Sequence, residues 1–231
     1  DRAATADPNV ITAPITPAPE SVQTIQLYRT GDETSLPVIG LDSGQTLSLE
    51  FDLLREEPRS FSIYFYHADR KWRYDLQPAQ YMASFARDDL IDYTSSRGTR
   101  VDYTHYEYRY PNDDIQFRES GNYVVRVTEM GQEDEVPVER AFFVSEQVAD
   151  PRIDVEAFRI GAGGRMQPRP TVRFPASNLL QNHPFDVYVC FMRNGAVEEI
   201  RCASDPSLVE ASFYQFRLPL EQSFSLHAPT R

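Results

Sequence analysis

Apolar and polar residues alternate with a period of two in one segment of this chain after another, and that pattern constrains its fold more than any other feature. In LSLEFDL, Leu47, Leu49, Phe51 and Leu53 make one apolar face, with Ser48, Glu50 and Asp52 between them. In NYVVRVTEM, Tyr123, Val125 and Val127 line one side while Arg126 and Thr128 take the other. VQTIQLYR, RSFSIYFYH, RVDYTHYEYRY and VERAFFVSE repeat the theme, with turn residues between them. Successive side chains of a strand point to opposite faces, so this is the signature of antiparallel sheets buried on one side. No sustained helical period intervenes. The fold expected is all-β, built as tandem immunoglobulin-like antiparallel β-sandwiches.

A chain of 231 residues is long for one sandwich, and two domains are expected. Residues 1–20 hold four prolines and little periodicity, which reads as a disordered, proline-rich lead-in. A first sandwich is placed at 21–148 and a second, smaller one at 149–231. The second set comprises RIDVEAFRI, a GAGGRMQP loop, PTVRFPA, the hairpin FDVYVCFMRNGAVEEIRCA, and EASFYQFRL. About five strands fall short of the seven of an immunoglobulin-type domain, so the second domain is expected to be incomplete in this chain.

With 35 acidic against 23 basic residues, the net charge is −12. Such a field repels nucleic acid and anionic lipid, so neither is an expected partner. No apolar run reaches the 18 or so residues that a membrane-spanning helix requires. The start DRAATADPNV has neither the basic nor the apolar region of a signal peptide, so a secreted chain would be a trimmed one.

The two cysteines, Cys190 and Cys202, flank Asn194-Gly195, the strongest short hairpin signal available. If those two residues close the hairpin, Arg193 faces Ala196 and Cys190 faces Glu199. The two thiols then point to opposite sides. No disulfide is expected across this hairpin, and the redox compartment stays open.

Chemistry-bearing residues are few. His67 and Asp69 share a strand face, as do His105, Glu107 and Arg109, which leaves Tyr106, Tyr108 and Tyr110 for the core. Hydrogen-bonded structural histidines are the reading taken over a metal site, which needs ligands converging from several strands. Asn112-Asp113-Asp114 offers the oxygen donors calcium favours, but turn chemistry after Pro111 accounts for it equally well. GAGGRM lacks the trailing Lys-Ser or Lys-Thr of a phosphate loop, and no hydrolase elbow, zinc or dithiol motif occurs. No enzyme, cofactor or metal is expected. Between Lys71 and Arg100 the alternation lapses, leaving at most a short strand from Trp72 to Leu76. A long connection carrying Tyr81, Phe85 and Tyr93 is the candidate partner surface.

The ordered series LSLEFDLL, YFYHADRKW, LIDYTSSRGTR, YTHYEYRYPNDD, FRESGNYVVRV and RAFFVSE resembles the N-terminal region of the plug proteins of the bacterial type IX secretion system, formerly a domain of unknown function. His67, Asp69 and Trp72 match that family's His-Cys-Asp-x-x-Trp segment, with Ala68 in place of cysteine. Tyr103, Thr104, His105, Tyr106, Pro111 and Asn112 match its second motif, with Tyr110 where the family has Phe. Ser120, Gly121, Asn122 and Tyr123 match its third. Beyond Arg152 the likeness loosens, and the Asn-Glu-Phe-Arg segment expected after FYQFRLP is replaced by LEQSFSLHAPT.

The resemblance implies a non-enzymatic periplasmic protein, its signal peptide removed, associated with the outer membrane but not inserted in it. Its implied partner is the translocon barrel, whose periplasmic mouth it closes. The alternative is an extracytoplasmic carbohydrate-binding sandwich, suggested by the tyrosines and by Trp72 read as exposed. A third reading is a hydrolase using His105 and a nearby carboxylate.

Overall fold

The computed structural model describes residues 10–55, 57–146, 150–160, 165–176, 187–210 and 212–224. The strands in chain order are β1 (Val10–Ile11), β2 (Val22–Arg29), β3 (Val38–Gly40), β4 (Leu47–Leu53) and β5 (Phe61–Ala68), then a one-turn helix α1 (Pro78–Tyr81). They continue with β6 (Arg87–Leu90), β7 (Tyr93–Ser95), β8 (Thr104–Tyr110), β9 (Gly121–Glu129) and β10 (Val138–Ser145). The last six are β11 (Arg152–Ile160), β12 (Arg165–Pro175), β13 (Val189–Met192), β14 (Ile200–Ala203), β15 (Leu208–Val209) and β16 (Phe213–Arg217). The chain is all-β, and none of the helices among the described residues is long and apolar enough to cross a membrane.

Two compact units form, one from Ala13–Glu146 and one combining Asp1–Thr12 with Gln147–Arg231. The first packs a five-stranded sheet, β3-β10-β9-β5-β6, on a four-stranded sheet, β2-β4-β8-β7. All its ladders are antiparallel except β3 on β10. The alternation works as read: Leu47, Leu49, Phe51 and Leu53 face inward against Phe61, Ile63, Phe65, Val125 and Val127. Tyr106, Tyr108 and Tyr110 join that core from β8. Burying each such side chain contributes roughly 1.5–3 kcal/mol. Tyr106 keeps its hydroxyl satisfied by donating to the Arg59 carbonyl and accepting from the Arg59 N–H.

The second unit has a three-stranded sheet, β1-β14-β13, and a four-stranded sheet, β11-β12-β16-β15. Its smaller core gathers Val172, Val189, Ala203, Tyr214 and Phe216.

Three expectations need correction. The lead-in is ordered over its described part: Val10–Ile11 adds a strand to β14, Ala13 is buried, and the Thr16 N–H donates to Glu139 Oε2 at 2.7 Å. Proline content missed this, because a proline-rich strap needs no internal hydrogen bonds to lie on a sheet. Residues 1–9 lie outside the described residues.

The second correction concerns the cysteines, which form a disulfide. Asn194 and Gly195 do take positive φ, and the Ala196 N–H donates to the Arg193 carbonyl as a tight turn requires. The ladder, however, resumes with Met192 opposite Ile200, three residues later than a two-residue turn would set it. An odd slip reverses the faces and brings Cys190 opposite Cys202.

The third correction is the stretch from Lys71 to Arg100. It forms no strand at Trp72–Leu76, where Tyr74 makes only an isolated bridge to Ala68. It makes α1, then β6 on the edge of one sheet and β7 on the edge of the other. The GAGG part of the second unit's glycine loop lies outside the described residues.

Candidate functional site

The residues singled out in the sequence divide into a buried frame and an exposed edge. His67 is the penultimate residue of β5 inside the first unit, its Nδ1 2.7 Å from Asp75 and its Nε2 3.3 Å from the Ser120 carbonyl. It stacks on Tyr81 and meets Tyr123 edge-on. Gly121 has φ +152°, and a Cβ there would lie 2.4 Å from His67 Nε2. Ser120-Gly121 is thus the place where the backbone passes the imidazole with no room for a side chain. Asn122 Nδ2 donates to the Asp69 carbonyl, and the Tyr123 hydroxyl donates to the Glu119 carbonyl.

Asp69 organises the turn that follows β5. Its carboxylate accepts from the N–H groups of Lys71 and Arg73 and from the Arg73 guanidinium. Burial alone would raise its pKa, but the bonds from Arg73 and Lys71 outweigh it and hold the carboxyl below its ordinary 3.8. The turn swings Trp72 back over the sheet, where it packs edge-on against Phe143 and is only 3% exposed. Trp72 is therefore core, and the exposed tryptophan that suggested sugar binding does not exist.

The second motif closes β8. A cis Tyr110-Pro111 bond leads to Asn112, whose Oδ1 accepts from the N–H groups of Asp114 and Ile115 while its Nδ2 donates to the Tyr108 hydroxyl and the Arg109 carbonyl. That side chain is committed to the turn. Tyr108 also donates to Asp88 at 2.5 Å, and burial together with that bond pushes its phenol well up. Tyr110 packs against Phe65, Phe117 and Phe142, and Phe117 in turn meets Tyr123. The three motifs converge on one aromatic cluster.

Thr104 is buried, and Tyr103 is half-buried just before β8. His105 faces outward on the four-stranded sheet, Nδ1 2.8 Å from Asp52 and Nε2 3.9 Å from Glu50. Glu50 also accepts a very short bond from Tyr28, which with burial pushes that phenol up to about 12. These are cross-strand pairs on an open sheet face: Asp52 is directly opposite His105. Among the described residues no three His, Cys, Asp or Glu side chains converge as a metal site.

The exposed edge lies on the stretch after α1. Of its three candidates, Tyr81 is only 2% exposed and donates to the Phe65 carbonyl, so it belongs to the core. Glutamine and proline ahead of it make a helix N-terminus that turns its ring inward, which no local pattern announces. Phe85 and Tyr93 are 66% and 51% exposed, and Ile91, which sequence reasoning missed, is 76% exposed. Ile91 sits in the two-residue crossing from β6 to β7. Backbone bonds to residues 114–118 hold the first part of this stretch against the body, from Ala83 to Gln116, Phe85 to Asp114 and Arg118 to Tyr81. A concavity of about 510 Å³ beside Phe85 is lined by Tyr64, Tyr66, Leu76 and Pro78.

The order of these motifs on two facing sheets is matched by a family model, the first domain of the type 9 secretion system plug protein, over residues 22–146. The chain belongs to the type IX secretion plug family. The match spans more than half of the 231 residues, and it contains the exposed edge as well as the aromatic frame. No curated protein matches the chain in sequence. A crystal structure of a hypothetical protein from Parabacteroides merdae ATCC 43184 has the same fold, with a TM-score of 0.79 at 21% identity. It matches 94% of this chain and 55% of its own, so this chain spans about half the length of that relative. Plug-family membership points to involvement in type IX secretion.

Proposed function

We propose that this chain is a non-enzymatic docking protein that seats on the periplasmic mouth of the type IX translocon barrel and closes it. The family match over residues 22–146 carries the reading. Closing a pore needs a rigid, shaped surface and no reaction chemistry. The motif side chains supply rigidity, since His67, Asp69, Tyr106, Asn112, Asn122 and Tyr123 all hydrogen-bond within the fold. The docking surface we infer is the edge bearing Phe85, Ile91 and Tyr93, because large apolar side chains are held there in solvent by a pinned connection. The Cys190–Cys202 bridge fits an oxidising compartment such as the periplasm.

A tagged chain incubated with outer-membrane extract of a type IX-secreting bacterium is expected to recover one very large barrel protein. Replacing Phe85, Ile91 and Tyr93 together by Ser should abolish recovery while leaving the melting temperature within a few degrees. Recovery of no large barrel by the unmodified chain would sink the plug reading. Unimpaired recovery by the triple variant would move the docking surface elsewhere.

A further inference from the structure

Every open sheet ends in edge strands whose outward N–H and C=O groups have no ladder partner, and natural sheets blunt such edges by keeping them short, bulged or charged. Among the described residues, every edge strand but one is short or bulged. β1, β3, β6, β7, β13 and β15 run four residues or fewer. β2 is bent by a bulge between Gln23 and Gln26, with Thr24 at φ 52°. β11 instead runs nine residues at the edge of its sheet, in unbroken register with β12 from Arg152 opposite Arg173 to Ile160 opposite Arg165.

β11 is blunted neither by shortness nor by a bulge, and its four charged residues, Arg152, Asp154, Glu156 and Arg159, carry both signs. It has no proline, no lysine and no bulge, and none of its described side chains is buried. Ile153 and Val155 are 66% and 63% exposed. Alternation puts Ile153, Val155 and Ala157 on one face and Asp154, Glu156 and Phe158 on the other. Branched aliphatic side chains held in extended backbone and left in water are a surface that gains free energy on being covered.

We propose that β11 accepts an extended segment of a partner protein as an added strand, one in which apolar residues alternate with lysine or arginine. Ladder hydrogen bonds supply attraction independent of sequence, and the side chains supply selectivity. Apolar residues of the incoming strand cover Ile153 and Val155, while basic ones meet Asp154 and Glu156. Arg152 and Arg159 bracket the acidic pair, so the basic positions fall in the middle of the segment. The net charge of −12 likewise favours a basic partner. A second copy of this chain is a poorer occupant. Two-fold antiparallel pairing of β11 with itself sets Asp154 against Glu156 when centred on Val155. It sets Glu156 against its own copy when centred there, and Val155 against Arg159 when centred on Ala157.

The test uses the full chain and two acetylated nine-residue peptides, alternating valine with lysine or valine with glutamate. Hydrogen exchange is expected to show the lysine peptide protecting the amides of β11 and leaving β2 and β6 unchanged. The lysine peptide should bind about tenfold more tightly than the glutamate peptide. The exposed double variant Asp154→Lys/Glu156→Lys should reverse that preference at an unchanged melting temperature. Absence of protection in β11 with either peptide overturns the proposal, as does protection at another edge or a preference that the double variant leaves in place. Protection of β11 that grows with protein concentration alone assigns the edge to a second copy and overturns it too.

Discussion

Gly121 and His67 make one device from two residues 54 positions apart: the imidazole occupies the space where a Cβ would be. Gly121→Ala is expected to cost about 2 kcal/mol or more, from the contact with His67 and from a backbone angle an L side chain rarely adopts. Chemical denaturation of the variant checks this. His67→Ala in the same chain should recover only part of the loss, since it makes space without relaxing φ. A Gly121→Ala variant as stable as the parent would show that the loop has another conformation of equal free energy. At this scale the sequence was most legible where alternation applied. Tyr106, Tyr108 and Tyr110 were assignable to the core because their neighbours His105, Glu107 and Arg109 are polar. Trp72 and Tyr81 were misread because each sits outside a periodic segment, where inward or outward is decided by a turn (Asp69 holding Arg73, Gln77 opening α1) and not by parity.

Among the elements, long strands were legible and short ones were not. VQTIQLYR and RIDVEAFRI correspond residue for residue to β2 and β11, whereas β3, β6 and β7 have three or four residues each, too few to display a period. They form because longer neighbours offer them an open ladder. The β13–β14 hairpin shows the other limit: Asn194-Gly195 predicted the turn, but the extra residues before Ile200 set the register, and parity decides which thiols meet. The disulfide closes a loop with a sequence separation of 12, so its loss should cost about 3 kcal/mol. For a unit of this size that is a fall in melting temperature on the order of 10 °C or more. Cys190→Ala/Cys202→Ala, or the parent chain under reductant, is therefore expected to lower the transition of the second unit and leave that of the first in place. Calorimetry distinguishes the two, and a reductant-insensitive thermogram would mean that the bridge contributes nothing.

For the whole molecule, the distribution of tyrosine makes the two units unequal in alkali. Eleven of the 13 tyrosines fall within Ala13–Glu146, and that unit's core is built on them. Burial pushes Tyr81 up to about 12 from an ordinary 10.0. The Glu50 bond, with burial, does the same for Tyr28. Burial also pushes Tyr108, Tyr110 and Tyr123 well up. Above pH 10 the unfolded chain loses phenolic protons that the folded chain retains, so the folded state binds more protons and stability falls as pH rises. The stability these groups contribute is fully present below pH 10 and disappears as pH climbs through the raised values, about 12 for Tyr28 and Tyr81. Between pH 10 and 12 the first unit is therefore expected to unfold cooperatively, with tyrosinate absorbance rising in the same step as the β-sheet circular dichroism is lost. Tyr81→Phe should flatten the slope of stability against pH in that window, because it removes a group that titrates differently in the two states. It should also lower stability at neutral pH, through the lost bond to the Phe65 carbonyl. A gradual absorbance titration centred on pH 10, complete before any loss of sheet signal, would show that the core phenols ionise in the folded state and that the tyrosine-built core does not set the alkaline limit.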